Sequence, residues 1–210
     1  MSRDIFPTQL ETDRLLFERF SHETVDPYEF YEFVQRDEWQ DDATEHMPWF
    51  RLARLDQVAG FVDVAEQQWA DRERARYLLR SKDEDGAIVG TTSFVPEWEK
   101  RYATSDVVLS SEFWGRGYGP ERASTFVELT FETFDLDAYC TSCAGDNEQS
   151  RRMIEKVVDR YGGRYEGLLR NFGSVHPDGT VTDQHRFSIT REEYEAATAA
   201  DERLAFEVTW

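Results

Sequence analysis

The chain has 210 residues, and its 43 acidic side chains outnumber its 24 lysines and arginines, giving a formal net charge of -19. That balance argues against nucleic acid as a direct partner, because such affinity rests on Lys and Arg displacing the counterions of a phosphate backbone. With 40% hydrophobic residues, no apolar run of about 18 and no basic-then-apolar start in Met1-Ser2-Arg3-Asp4-Ile5, the sequence predicts one soluble, cytoplasmic domain over residues 1–210 and no membrane segment.

In chain order, residues 10–20 have the apolar bias of a first strand. Pro27 after Asp26 opens a short helix carrying Tyr28, Phe30, Tyr31, Phe33 and Val34. Val58, Phe61, Val62, Ala65 and Trp69 recur at helical spacing and predict a helix over residues 55–70. Residues 76–80 and 87–95 read as strands joined through Asp85-Gly86, a hairpin turn signal, and residues 105–110 as another strand, making an antiparallel meander.

A helix begins at Pro120, with Ala123, Phe126, Val127, Thr130, Phe131 and Phe134 as its buried stripe, and a strand over 136–143 follows. Asn147 caps a further helix whose apolar face is Met153, Ile154, Val157 and Val158, ended by Gly162-Gly163. Two strands, 163–171 and 182–189, flank a turn at Pro177-Asp178-Gly179, and a polar tail helix starts at Arg191. The core covers about residues 8–190, the tail 191–210, and the class is α+β with a mostly antiparallel sheet and helices on its faces.

Between strand and helix stands Trp114-Gly115-Arg116-Gly117-Tyr118-Gly119. Three alternating glycines let backbone approach a ligand, and the helix start adds its positive dipole end, which suits a pyrophosphate. A tight strand-to-helix turn explains the same glycines equally well. The spacing is neither that of a Walker loop nor that of a dinucleotide fingerprint.

Val107-Val108-Leu109 followed by Ser111-Glu112-Phe113-Trp114-Gly115-Arg116-Gly117-Tyr118-Gly119-x-Glu121 resembles the acyl-CoA motif of the GNAT N-acetyltransferase superfamily. Asn147-x-x-Ser150 with Glu155-Lys156, then Glu166-Gly167 and Arg170, resembles the branch that contains the ribosomal-protein N-terminal acetyltransferases, as does the opening Leu10-Glu11-Thr12-Asp13-Arg14-Leu15. The resemblance implies the GNAT fold, with a V-shaped splay between two adjacent strands, and transfer of an acetyl group from acetyl-CoA to a primary amine, with no covalent enzyme intermediate.

Carried over by position, the backbone of Val107, Val108 and Leu109 holds the pantetheine arm. The loop from Gly115 through Arg116, Gly117, Tyr118 and Gly119 holds the pyrophosphate, with no N–H from Pro120. Arg116 is either a phosphate ligand or a solvated loop arginine. Many relatives carry a proton-donating tyrosine where this chain has Ile154; Ser150 takes that part here, with Asn147 as a coenzyme A contact. The plainer readings are a helix cap at Asn147 and a first-turn filler at Ser150. The general base is open among Glu97, Asp106, Asp183, His176 and a water chain.

Cys140-Thr141-Ser142-Cys143 has metal-pair spacing, but without a second pair or histidine cluster it reads as core packing, with no metal expected. His22, His46, His176 and His185 read as surface or loop residues. Trp49 and Phe50 line an acceptor pocket or simply pack. The scarcity of lysine (Lys82, Lys100 and Lys156) amid dispersed carboxylates resembles the surfaces of proteins from salt-loving archaea. The expected state is a monomer or homodimer, and the alternative function is a non-catalytic acyl-CoA-binding module.

Overall fold

A computed structural model describes residues 4–173, 175, 179–199 and 206–210. The described residues of 1–95, 106–118 and 205–210 form one compact unit, and those of 96–105 and 119–204 a second. Nine strands among the described residues follow the hydrogen-bonded order β7-β8-β6-β5-β4-β3-β2-β1-β9.

In the first unit, the expected opening strand is two: β1 (Gln9–Glu11) and β2 (Leu15–Arg19), paired antiparallel. Thr12 causes the break. Its Oγ1 accepts the Leu15 N–H at 3.0 Å, closing a side-chain turn that no Gly or Pro advertises. Helix α1 (Pro27–Val34) is capped by Asp26, whose Oδ1 accepts from Tyr28 N at 2.8 Å and Glu29 N at 3.3 Å. Helix α2 (Leu55–Ala70) has the predicted bounds and buries Val58, Val62, Ala65 and Trp69.

Strands β3 (Ala75–Ser81) and β4 (Ile88–Glu97) pair antiparallel, with a register shift between Leu79 and Arg80, and β2 pairs along the other edge of β3. Both are buried on their two faces, polar residues Arg76, Ser81, Thr91, Thr92 and Ser93 included. Strand β5 (Tyr102–Leu109) starts earlier than its sequence pattern suggests. Gly90 lets β5 close on β4: a β-carbon there would stand 2.1 Å from the Val108 carbonyl oxygen.

In the second unit, the start of β5 runs parallel to β6 (Ala138–Ala144), through Tyr102↔Ala138 to Thr104↔Cys140. Helix α3 (Tyr118–Glu128) passes into a π-helical turn over Leu129–Thr133. Helix α4 (Glu148–Arg160) buries Ile154, Val157 and Val158. Strand β8 (Gln184–Thr190) inserts between β6 and β7 (Arg164–Leu169), antiparallel to both. The Pro177-Asp178 part of the expected turn and His176 lie outside the described residues.

The tail departs from expectation. Helix α5 (Arg191–Thr198) is fixed by a reciprocal cap in which Thr190 and Glu193 bond each other's backbone N–H, but Glu207–Thr209 is a strand, β9, not helix. It pairs antiparallel with β1 and belongs to the first unit. An edge strand with unpaired backbone groups is a ready template, and that non-local opportunity outweighs the tail's helical pattern. Among the described residues, no helix is long and apolar enough to cross a membrane.

Candidate active site

The glycine loop lies at the end of β5 in the first unit. The Trp114 indole N–H donates to the Leu109 carbonyl at 2.9 Å and ties the loop to the strand it leaves. Gly115 (φ 75°) and Gly117 (φ 87°) are both left-handed, a conformation that side-chain-bearing residues adopt only with strain. Helix α3 starts at Tyr118, two residues before the expected Pro120, so Gly119 is already helical.

Tyr118 is buried, with its phenol oxygen 2.7 Å from Ser81 Oγ. Its side chain anchors the loop, leaving only backbone for a ligand. Arg116 is bound elsewhere: its guanidinium pairs with Glu84 at 2.5 Å and lies over the Phe113 ring.

The cation against the loop is Arg14, a residue that sequence reasoning quoted in a motif but gave no part. Its Nη1 donates to the Arg116 carbonyl at 2.7 Å, its guanidinium covers the Tyr118 ring at 5.4 Å, and its Nη2 is 3.0 Å from where a Gly117 β-carbon would stand. The approach requires glycine at 117. No local sequence pattern announces it, since Arg14 and Arg116 are 102 positions apart.

Gly119, Asn147 and Ser150 belong to the second unit, and Val107, Val108, Leu109 and residues 115–118 to the first. Asn147 caps α4: its Oδ1 accepts the Ser150 N–H at 2.9 Å, leaving its Nδ2 amide outside the cap. Ser150 is half-buried at the first turn of α4, the helix that packs on β6 and β8. Burial pushes the Cys143 thiol up to about 11, against the opposing pull of Arg151 and the Ser150 hydroxyl. Both Cys140 and Cys143 are buried free thiols. Ile154 is packed in the core and offers no proton.

His185 corrects its reading as a surface or loop residue. It lies in β8 opposite Cys143 and is buried. Its Nε2 is 3.2 Å from the Gly145 carbonyl, which can only accept, so Nε2 donates there, and its Nδ1 stands 2.8 Å from the Tyr165 phenol oxygen. Arg151 of α4 covers the Tyr165 ring at 5.6 Å. A Tyr–His pair thus stands beside Arg151 of α4, the helix that packs on β6 and β8.

Of the candidate bases, Asp183 accepts the Asn171 N–H at 2.9 Å, Asp106 is paired with Arg74, and Glu97 is exposed at the end of β4. Phe50 is buried against Phe61, whereas Trp49 is about half exposed.

A mixed sheet in which β5 and β6 run parallel, and a left-handed glycine turn leading from a strand into a helix, is the layout of a CoA-dependent acyltransferase. The profile of the acetyltransferase (GNAT) domain family matches residues 14–157. The uncharacterised N-acetyltransferase YoaA of Bacillus subtilis is 24% identical over 188 residues, 89% of this chain and 98% of that protein. A GCN5-related N-acetyltransferase from Brucella melitensis superposes with a TM-score of 0.76 at 16% identity, over 94% of this chain and 85% of that one. The microcin C7 self-immunity acetyltransferase MccE, solved with acetyl-CoA and AMP, gives 0.72 at 15% identity over 85% and 93%. The chain belongs to the GNAT acetyltransferase family, the acyltransferases that use acetyl-CoA.

Proposed function

We propose that the chain moves the acetyl group of acetyl-CoA to a primary amine, a protein N-terminus or a small-molecule amine, by direct attack in a ternary complex. The observation that carries this reading is the loop after β5, where Gly115 and Gly117 are both left-handed and the Arg14 guanidinium lies against Gly117 at the start of an 11-residue helix. Backbone N–H groups, a helix N-terminus and a fixed positive charge are the donor set a pyrophosphate needs.

The backbone of Val107, Val108 and Leu109 holds the pantetheine arm, and Gly115, Arg116, Gly117, Tyr118 and Gly119 hold the phosphates through their N–H groups. Arg116 adds its side chain there only by leaving Glu84. The Nδ2 amide of Asn147 contacts the arm. Bound acetyl-CoA supplies an activated acetyl group. Ser150 hands a proton to the sulfur as the C–S bond breaks and regains one from solvent, while the attacking amine, bonded to the acetyl carbon, sheds its proton to water.

The Asn147-x-x-Ser150 and Glu166-Gly167-x-x-Arg170 spacing supports the ribosomal-protein branch. The carboxylate-rich surface supports a salt-loving archaeal source, and the free thiols a reducing cytoplasm. We read residues 1–210 as one domain, acting as a monomer or homodimer.

Titration with acetyl-CoA in molar potassium chloride, followed by heat, tests the reading, with Gly117→Glu as control. Saturable binding that the control loses, with thiol release on adding amines, is the expected result. A folded protein that binds no acetyl-CoA overturns it.

A further inference from the structure

Arg76 is the arginine on β3 that the rest of the fold leaves without a hydrogen-bonded carboxylate. Its side chain is 8% exposed, yet its Nη1 is fully enclosed and among the described residues nothing accepts a hydrogen bond from it. The nearest carboxylate oxygen, Oδ1 of Asp106, stands 3.8 Å away and is itself without a hydrogen bond. That distance is too long for one. Below the guanidinium lie the faces of Phe61 at 4.8 Å and Phe50 at 5.3 Å. Burial depresses its pKa, partly opposed by Asp106.

The chain does not lack acids, having 43 against 24 basic residues. Four positions along the same strand, Arg80 is held by both Glu18 at 2.6 Å and Glu29 at 2.8 Å. At Arg76 the ion-pair partner among the described residues is Asp106, whose Oδ2 accepts from Arg74 while its Oδ1 faces Arg76 at 3.8 Å. Two guanidiniums share one carboxylate, and one positive charge is left over. Ser93, the cross-strand partner of Arg76 on β4, adds a buried hydroxyl without a partner. Buried donors are normally paired, so several unmet groups around one excess charge call for an anion.

Its position says which anion. Thr92 Oγ1 donates to the Asp106 carbonyl at 2.5 Å, fixing Asp106 on β5 immediately before Val107-Val108-Leu109. With the phosphates at the loop that follows β5, an arm running back along these three residues brings its thioester end toward Asp106. The side chains of Arg74 and Asp106 are about a quarter exposed, so the cluster opens to solvent there.

We propose that Arg76, with Arg74, is an anion subsite for the acceptor, and that the acceptor is an amine that also bears a carboxylate. This rests on the acetyltransferase reading above. The carboxylate binds the Arg76 guanidinium and orients the amine toward the thioester.

The test follows thiol release from acetyl-CoA with the full chain and matched amines that differ only in a carboxylate: 4-aminobutyrate against butylamine, β-alanine against β-alaninamide. Acetyl-CoA affinity is measured separately by calorimetry. The expected result is kcat/KM at least about tenfold higher for the carboxylates, as a charged hydrogen bond supplies. Arg76→Gln removes the preference through KM at unchanged acetyl-CoA affinity, and Arg76→Lys keeps part of it. If Arg76→Gln fails to fold, the wild-type panel decides, with Arg74→Gln expected to narrow the preference. Equal rates within the pairs, or acetyl-CoA binding with no amine acetylated, overturn the subsite alone. Absence of acetyl-CoA binding overturns the acetyltransferase reading and the subsite with it.

Discussion

The Arg14 guanidinium sits 3.0 Å from the point where a β-carbon on Gly117 would stand. The two residues are therefore chosen together: the backbone turns left-handed at 117, and the charge of Arg14, from the turn between β1 and β2, fills the space above it. Gly117→Ala meets both the strained dihedral and the guanidinium. It should lose about 1–2 kcal/mol of stability and weaken acetyl-CoA binding, measured by chemical denaturation and calorimetry. Arg14→Gln should weaken binding without the stability loss, and more so at low salt. Wild-type affinity in Arg14→Gln would remove Arg14 from the phosphate site.

Ser150 separates chemistry from binding. Ser150→Ala keeps the backbone N–H that Asn147 caps, so the helix survives. Turnover should fall about 10²-fold or more, the usual contribution of a positioned proton donor, at unchanged acetyl-CoA affinity. Unchanged turnover would show that water protonates the thiolate.

Cys143 makes a prediction of opposite sense in pH. Burial raises its folded pKa to about 11, above the 9.0 of a free thiol. The stability it contributes is therefore complete below about 9 and is lost as pH rises from there through about 11. Alkylation of the native protein at pH 8 should be slow at this position, and Cys143→Ala should flatten the alkaline limb of a stability profile. Rapid alkylation would mean that the thiol is not held by burial.

Glu29 governs the acid side. The Arg80 hydrogen bond is the largest cause lowering its pKa below 4.5, ahead of the opposing burial. A depressed carboxylate stabilises the fold above its unfolded pKa and loses that contribution as pH falls through its folded one. Glu29→Gln should shrink the stability difference between pH 7 and pH 3, by a small amount because the side chain is 47% exposed. An unchanged acid limb would assign it to other carboxylates.

What the sequence made legible was local. The Asp85-Gly86 turn, the Asp26-Pro27 helix start and the spacing of Val58, Val62 and Trp69 act within one turn or one element, and each element stands where its pattern put it. The break at Thr12 was hidden because a threonine side chain does what a glycine or proline would have announced. Arg14, Arg76 and His185 were passed over for a shared reason. Each takes its meaning from strand register and from partners tens of positions away, Arg116, Asp106 and Tyr165. Strand β9 was missed because a three-residue strand exists only where an edge is waiting for it.

That short strand sets the order in which the molecule comes apart. Thr8 bonds the Thr209 carbonyl across 201 positions of sequence, so β1 and β9 close the longest loop in the fold through a three-residue ladder. Loop closure of that span is entropically costly and little surface repays it, so this seam forms late in folding and frays early. Amides of β1 and β9 should exchange with solvent well before those of β3 and β4. Since β1 leads through Thr12 straight to Arg14, a frayed seam would also slacken the hold on the glycine loop while the interior stays intact, and coenzyme affinity would fade with warming ahead of any visible melting.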